Sequence, residues 1–372
     1  MRGPAVKPIV IAAGGTGGHF FPAEALAAAL IARGHRVVLM TDGRSTALKS
    51  PVFAGGEQYV LPGAGLAGRG IVKAARALLS LARGTLRARS ILAGLDAAAV
   101  VGFGGYPSVP PVLAAASLPR RPFVVLQEQN AVLGRANIFL SRRADLLALG
   151  VAGTRRVPAG VATEITGNPV RPAIAALAGA AYVAPVDKIE LLVMGGSLGA
   201  RVFSDVVPGA VAALPEDIRA RLSITQQCRV EDLARVRAAY RACGVTADLA
   251  PFFNDVAARL AAAHLVIGRA GASTCAELAV AGRPSILVPL PGAIDDHQTA
   301  NAAALQNSGG ARVIAQMDFA APALTALLAG FFAAPETLVT AAAAAAGSAY
   351  PHAAETLAVV IERHIAKTEA HA

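Results

Sequence analysis

Apolar residues along the 372-residue chain collect in short, nearly unbroken runs. Ile9 to Ala13, Val37 to Thr41, Ala97 to Val101, Phe123 to Gln127, Ile189 to Met194, His264 to Gly268 and Ser285 to Pro289 each read as a strand that runs into a glycine-containing or polar loop. Pro22 suits a first helical turn and Gly34 the position just past a last one, which predicts a helix from Pro22 to Arg33 between the first two strands. Strand, glycine loop, helix and strand form a βαβ unit, so the fold class is expected to be α/β with a parallel sheet.

The same grammar starts again at Ile189. The run ends in Gly195-Gly196-Ser197-Leu198-Gly199-Ala200 and continues into a helix-competent segment from Arg201. Further on, Arg269 to Ser273 reads as a loop, Thr274 to Ala281 as a helix and Leu290 to Asp296 as another loop, each loop at the carboxyl end of a strand. Two copies of one unit in a chain this long predict two Rossmann-like domains facing one another across a cleft. The joint is expected near Gly167-Asn168-Pro169-Val170-Arg171-Pro172, where two prolines and a glycine interrupt regular structure, giving domains of residues 1–170 and 171–352. The polyalanine Ala341 to Ala346 reads as helix.

Composition removes several classes. A chain that is 55% hydrophobic and 16% charged is not disordered, fibrous or a charged coiled coil. Much of the apolar share is alanine, and the one long uncharged span, Ala97 to Pro119, is interrupted by Gly102, Gly104, Gly105, Pro107, Pro110 and Pro111, so no transmembrane segment is expected. The start shows no apolar stretch followed by a cleavage site, and Cys228, Cys243 and Cys275 lack CxxC spacing, which fits reduced thiols in a cytoplasm. His35, His264, His297 and His352 are scattered, and Asp295 and Asp296 are adjacent rather than alternating, so no metal and no cofactor is expected.

The net charge of +10 is uneven: residues 1–170 hold 19 Lys and Arg against 7 Asp and Glu, whereas the remainder hold 15 against 17. Such a surface calls for an anionic partner, whether nucleic acid, an anionic bilayer or a phosphorylated substrate. Aromatics at 5% and the lack of a recognition motif speak against nucleic acid. Between Arg69 and Arg89 a helical projection gathers Ile71, Ala75, Leu78, Leu79, Ala82 and Leu86 on one side, with Arg69, Lys73, Arg76, Arg83 and Arg87 opposite or flanking. Such a helix either lies in a membrane interface or buries its leucines in the core; Gly84 and the absence of Trp fit the interface less well.

Glycine loops that open helices suit phosphate, because bare amides and the positive end of the helix dipole point at the anion. The first loop has the Gly15-x-Gly17 start of a dinucleotide fingerprint, but Phe20 stands where its last glycine belongs and no Gly-Lys-Ser/Thr follows. Taken together the motifs are more specific: Gly14-Gly15-Thr16-Gly17-Gly18-His19 with Pro22, Gly102-Phe103-Gly104-Gly105-Tyr106-Pro107-Ser108, Glu128-Gln129-Asn130, Gly167-Asn168-Pro169-Val170-Arg171, Gly195-Gly196-Ser197-x-Gly199-Ala200, Gly271-Ala272-Ser273-Thr274 with Glu277, and Gln298-Thr299-Ala300-Asn301-Ala302. In this order they resemble the MurG family of peptidoglycan glycosyltransferases, from about Ile9 to Gly310.

That resemblance implies a GT-B fold and inverting transfer of GlcNAc from UDP-GlcNAc to the MurNAc 4-hydroxyl of lipid I, giving lipid II. It implies an acceptor-binding, membrane-associated first domain, onto which a helix of about residues 353–372 packs back, and a donor-binding second domain. Glu277 would accept the ribose hydroxyls, Ala272, Ser273, Thr274, Cys275 and Ala276 would bring helix amides to the diphosphate, and Phe253 would lie by the uracil. Arg171, Ser197 and Gln298 would contact the nucleotide sugar, joined by Thr16, Gly17, Gly18 and Asn130; Gly14, Gly15, Gly104, Gly105 and Tyr106 would serve the acceptor. His19 is the candidate base, since a neutral imidazole accepts protons near neutral pH; otherwise it donates a hydrogen bond to a phosphate or carbonyl. The partners implied are UDP-GlcNAc, lipid I, the anionic cytoplasmic face of the inner membrane and other cell-wall proteins, with a place in cell shape and division.

Two residues depart from the family pattern: Leu133 where proline often precedes Gly134, and His297 where a second glutamine often precedes Gln298. An NAD-dependent dehydrogenase stays open through Asp42 near the end of the second strand, as does a UDP-GlcNAc 2-epimerase of the same fold, which would need no lipid acceptor.

Overall fold

The computed structural model describes residues 7–15, 17–43, 50–62, 71–196 and 199–370. The chain divides into two compact units, one running to Arg171 and rejoined by the segment from His352, the other spanning Pro172–Pro351. In chain order the first unit contains β1 (Ile9–Ala12), α1 (Gly17–Ala32), β2 (Val37–Asp42), β3 (Glu57–Leu61), α2 (Ile71–Leu95), β4 (Ala99–Gly102), α3 (Gly105–Ala116), β5 (Phe123–Glu128), α4 (Arg135–Leu140), β6 (Leu146–Leu149) and β7 (Thr163–Ile165). The second contains α5 (Pro172–Ala175), β8 (Ile189–Met194), α6 (Arg201–Ala212), α7 (Glu216–Arg221), β9 (Leu222–Gln227), α8 (Leu233–Ala242), β10 (Thr246–Ala250), α9 (Val256–Ala262), β11 (Leu265–Gly268), α10 (Ala272–Val280), β12 (Ser285–Leu287), α11 (His297–Asn307), β13 (Ala311–Val313), α12 (Ala321–Ala333) and α13 (Glu336–Gly347). A last helix, α14 (Ala353–Ala370), belongs to the first unit.

Both sheets are parallel and wound outward from a central strand: β3-β2-β1-β4-β5-β6-β7 in the first unit and β10-β9-β8-β11-β12-β13 in the second. Ile9 pairs in register with Val37 on one side and Ala99 on the other. Alternation along β1 splits the first core into two layers. Ile9 and Ile11 meet Phe20, Leu26 and Leu30 of α1 with Leu357 and Ile361 of α14, whereas Val10 joins Leu92 of α2 and Val112 of α3 on the other face. In the second unit Ile189, Leu191 and Val193 pack with Phe203, Val207, Tyr240, Leu324 and Leu328.

The first helix differs from its predicted bounds. It begins at Gly17, so Pro22 is its sixth residue and His19 lies in its first turn rather than in a loop. Pro22 lacks the N–H that would bond the carbonyl four residues back, a loss confined to the helix start. Likewise α10 begins at Ala272, two residues before the predicted start, and α2 continues to Leu95, beyond Arg89.

The arginine-rich helix presents its leucines outward. Ala77, Gly84, Ala88 and Leu92 face the protein, while Leu78, Leu79 and Leu86 are 67%, 50% and 68% exposed. Gly84 sits where α2 comes closest to its neighbours: a Cβ there would meet the Pro62 carbonyl oxygen at 2.8 Å and the Pro110 ring at 3.4 Å. Its presence is therefore a packing requirement. Among the described residues no single helix is long and apolar enough to cross a membrane.

Glu362 ties α14 to the first unit. Its carboxylate accepts from Arg33 Nε at 2.8 Å and lies 2.7 Å from His35 Nε2, while Arg363 pairs with Glu164 at 2.6 Å and His364 stacks on Phe123. The bonds from Arg33, and secondarily from His35, hold the Glu362 carboxyl down at about 2 against an ordinary 4.5. A depressed carboxyl favours the fold above its unfolded pKa and loses that contribution as pH falls through the folded one. The stability advantage of the parent over Glu362→Gln in urea unfolding is therefore expected to be full above about pH 5 and to shrink progressively as pH falls toward 2. An advantage that stays constant over that range would remove Glu362 from this role.

Candidate active site

Helices α1 and α3 follow adjacent strands yet pack on opposite faces of the sheet, which opens a crevice at the carboxyl ends of β1 and β4. The loop after β1 brings Gly14, Gly15 and, at the helix start, Gly17, Gly18 and His19; the turn after β4 brings Phe103, Gly104 and Gly105. Gly104 and Gly105 have φ of 79° and 66°, values that favour glycine. The imidazole of His19 lies against them: a Cβ on Gly105 would stand 3.3 Å from its Cδ2 and 3.4 Å from its Nε2, and one on Gly104 3.6 Å from its Cε1.

The strand next to β4 supplies the polar groups behind this ring. His19 Nδ1 is 2.9 Å from Gln129 Oε1, and Gln129 Nε2 donates to the Phe103 carbonyl at 3.0 Å and to the side-chain oxygen of Gln127. Glu128 organises the following turn: one oxygen accepts from the Asn130 backbone and side-chain nitrogens, both at 3.0 Å, and the other from Gly134 N at 2.8 Å and Asn137 Nδ2 at 2.9 Å. Glu128, Gln129 and Asn137 are absent from the sequence-derived site. The signal for Glu128 and Gln129 was a polar run, Gln127 to Asn130, that closes an apolar strand; all but Asn130 are buried, and buried polar side chains must find partners.

Other predicted residues divide. Tyr106, at the start of α3, has a buried hydroxyl with no hydrogen-bond partner among the described residues. Arg171 places its guanidinium 5.1 Å from the centre of the Phe21 ring. Leu133 is fully buried and donates its N–H to the Arg155 carbonyl at 2.9 Å, a bond proline could not make, so this departure has a local reason. Thr16, Ser197 and Arg69 lie outside the described residues, as do the side chains of Ile71 and Lys73.

In the second unit the glycine loops again follow neighbouring strands, β8 and β11. Gly195 N donates to Gln227 Oε1 at 3.1 Å, and Gln227 Nε2 donates to the Pro251 carbonyl at 3.0 Å, so the end of β9 holds the loop. Arg269 Nη1 bonds the carbonyls of Val288 and Pro289 at 3.0 and 3.2 Å, and Asn301 Nδ2 bonds the Ala270 carbonyl at 3.2 Å. From Gly271 through Glu277 the start of α10 is partly exposed, whereas Leu278, Ala279 and Val280 are buried. Ala272, Ser273, Thr274, Cys275 and Ala276 thus present a helix N-terminus at the surface, an anion-binding end. Burial pushes the Cys275 thiol up to about 12, so it adds no negative charge there. Gln298 Oε1 accepts from Leu290 N at 3.0 Å, and beside it His297 Nδ1 lies 2.7 Å from the Ile294 carbonyl. The Phe253 ring is buried, with the Arg259 guanidinium 3.9 Å from its centre, while neighbouring Phe252 is exposed.

Two parallel Rossmann-like sheets with glycine loops at their carboxyl edges define a GT-B glycosyltransferase fold. The glycosyltransferase family 28 N-terminal domain matches residues 9–149 and its C-terminal domain residues 190–357. A protein of Granulibacter bethesdensis named UDP-N-acetylglucosamine–N-acetylmuramyl-(pentapeptide) pyrophosphoryl-undecaprenol N-acetylglucosamine transferase is 58% identical over 98% of this chain and 95% of its own, and one of the same name from Gluconobacter oxydans is 57% identical over 96% and 98%. The crystal structure of Acinetobacter baumannii MurG superposes with a TM-score of 0.78 at 30% identity, covering 96% of this chain and 99% of that one. The chain belongs to glycosyltransferase family 28, within its MurG group. A Listeria monocytogenes structure described as a UDP-N-acetylglucosamine 2-epimerase shares the fold at 16% identity.

The His19 contact sets a test of the site. Gly105→Ala forces a side chain into a left-handed conformation, at about 1–2 kcal/mol, and against the imidazole. Turnover is expected to fall roughly tenfold or more while UDP affinity, measured by calorimetry, stays within about twofold. Unchanged turnover would separate the Gly104-Gly105 turn from the chemistry.

Proposed function

We propose that this chain transfers GlcNAc from UDP-GlcNAc to the MurNAc 4-hydroxyl of lipid I with inversion, producing lipid II for peptidoglycan synthesis. The observation that carries the reading is 57–58% identity, over nearly the full length, to transferases whose names state this donor and acceptor. The second unit holds the donor: the amides opening α10 take the diphosphate, Glu277 takes the ribose hydroxyls, and Phe253, Ser197 and Gln298 complete the contacts of this unit. The first unit holds the acceptor at Gly14, Gly15, Gly104, Gly105 and Tyr106.

In the transfer, the acceptor oxygen forms its bond to the anomeric carbon as the bond to the UDP oxygen breaks. The electron pair leaves on the diphosphate, and the hydroxyl proton passes to His19 Nε2. Helix amides rather than a divalent ion neutralise the departing charge, so neither metal nor cofactor is needed. Replacing His19 with Ala is expected to lower acceptor-dependent UDP release from a short-chain lipid I analogue by about 10²- to 10⁴-fold, with UDP affinity little changed. Wild-type turnover in that variant would overturn the base assignment, and no acceptor-dependent release from the parent would overturn the reading as a whole.

We also place the enzyme peripherally at the cytoplasmic face of the inner membrane, beside other cell-wall proteins. Supporting this are the exposed Leu78, Leu79 and Leu86 with the exposed Arg76, Arg83 and Arg87 on the same helix. Each nearby basic residue contributes about 1 kcal/mol on an anionic surface, and each buried leucine about 1.5–3 kcal/mol. Changing the three leucines to Ser should lower cosedimentation with anionic vesicles about tenfold or more and leave turnover on a soluble acceptor unchanged. Equal cosedimentation would assign the membrane contact elsewhere.

A further inference from the structure

We infer that Gln129 is a positioning residue that fixes His19 in the tautomer with hydrogen on Nδ1 and a free lone pair on Nε2. The inference follows from which groups can only accept. Gln129 Nε2 lies 3.0 Å from the carbonyl oxygen of Phe103 and 3.4 Å from that of Gln127, and it also bonds the side-chain oxygen of Gln127. Carbonyl oxygens have no hydrogen to give, so the nitrogen end of the amide must face them; turned over, the amide would set oxygen against oxygen in a place only 2% exposed. Gln127 is oriented the same way, its own Nε2 donating to the Glu128 carbonyl at 3.4 Å.

With the amide so fixed, the atom 2.9 Å from His19 Nδ1 is Oε1, which can only accept. Nδ1 therefore carries the hydrogen, and a neutral imidazole has no second one. The lone pair falls on Nε2, the ring atom beside Gly105, where a Cβ would stand 3.4 Å away. In water a neutral histidine side chain favours the opposite tautomer, which has no lone pair on Nε2. The directed row Gln127, Gln129, His19 reverses that preference and points the basic atom outward over the glycine turn. Its catalytic consequence rests on the proposed role of His19 as base; the tautomer itself does not.

The test uses the full-length enzyme labelled with ¹⁵N-histidine, with the His19 signals assigned by their loss in His19→Gln. Long-range proton–nitrogen correlation above the titration range is expected to show neutral His19 protonated at Nδ1. In Gln129→Met the population moves toward protonation at Nε2, kcat falls about 10²-fold, and KM for UDP-GlcNAc stays within about twofold. If the parent His19 is protonated at Nε2, or if its tautomer is the same in Gln129→Met, the inference fails whatever the kinetics. If the tautomer moves while kcat does not, the Gln129 assignment stands and the reading of His19 as the base falls.

Discussion

A parallel sheet wound outward from its middle must somewhere send two helices from adjacent strands to opposite faces, and in the first unit this happens between β1 and β4. Backbone enters the crevice there from both sides, as the glycine run after β1 and the left-handed Gly104-Gly105 pair after β4. His19 lies against this floor, close enough at Gly105 that a Cβ there would stand 3.3 Å from its ring. Its far side is closed by polar groups from the end of β5, where the sheet still runs in register: Val101 pairs with Val125 and Gly102 with Leu126, which carries Gln127 to Asn130 to the same edge. Site geometry here is a consequence of strand order.

Much of this was legible beforehand because it is written in backbone chemistry. Glycine where a strand becomes a helix has few other uses, so both pairs of loops could be placed, and the second βαβ grammar from Ile189 to Ala200 gave away the second sheet. Helix starts were less legible. Proline at the first turn is a sound rule, yet α1 begins five residues before Pro22, because the glycines and His19 supply a turn whose donors need no intrahelical partner. That shift changes His19 from a loop residue into one held by a helix.

Side-chain partnership was the least legible part. Nothing in the order Gln127-Glu128-Gln129-Asn130 says which polar group faces which, and within the Glu128-Gln129-Asn130 motif only Asn130 has an assigned contact. The structure shows Glu128 collecting four donors, which shapes the turn that presents Asn130, and Gln129 reaching across to α1. The Gln129–His19 contact joins residues 110 positions apart, where local pattern carries no information, and those of Glu128, though within nine positions, depend on how the turn folds. The Leu133 departure is similar: only the Arg155 carbonyl, across an isolated bridge from Val132, shows why an N–H is wanted there.

Helix α2 shows how period and partner can disagree. Its 3.6-residue rhythm marks an apolar stripe, and burial energetics alone would turn the largest residues inward. The structure instead turns Ala77, Gly84 and Ala88 toward the protein and leaves Leu78, Leu79 and Leu86 outside. Close approach decides this: at Gly84 the Pro62 carbonyl and the Pro110 ring leave no room even for a methyl group. Small residues on the inner face let the backbones meet, and the leucines, excluded from that seam, form an exposed apolar patch edged by arginines. A patch of this kind is an aggregation hazard unless another nonpolar phase covers it, and an anionic lipid interface satisfies both its leucines and its arginines.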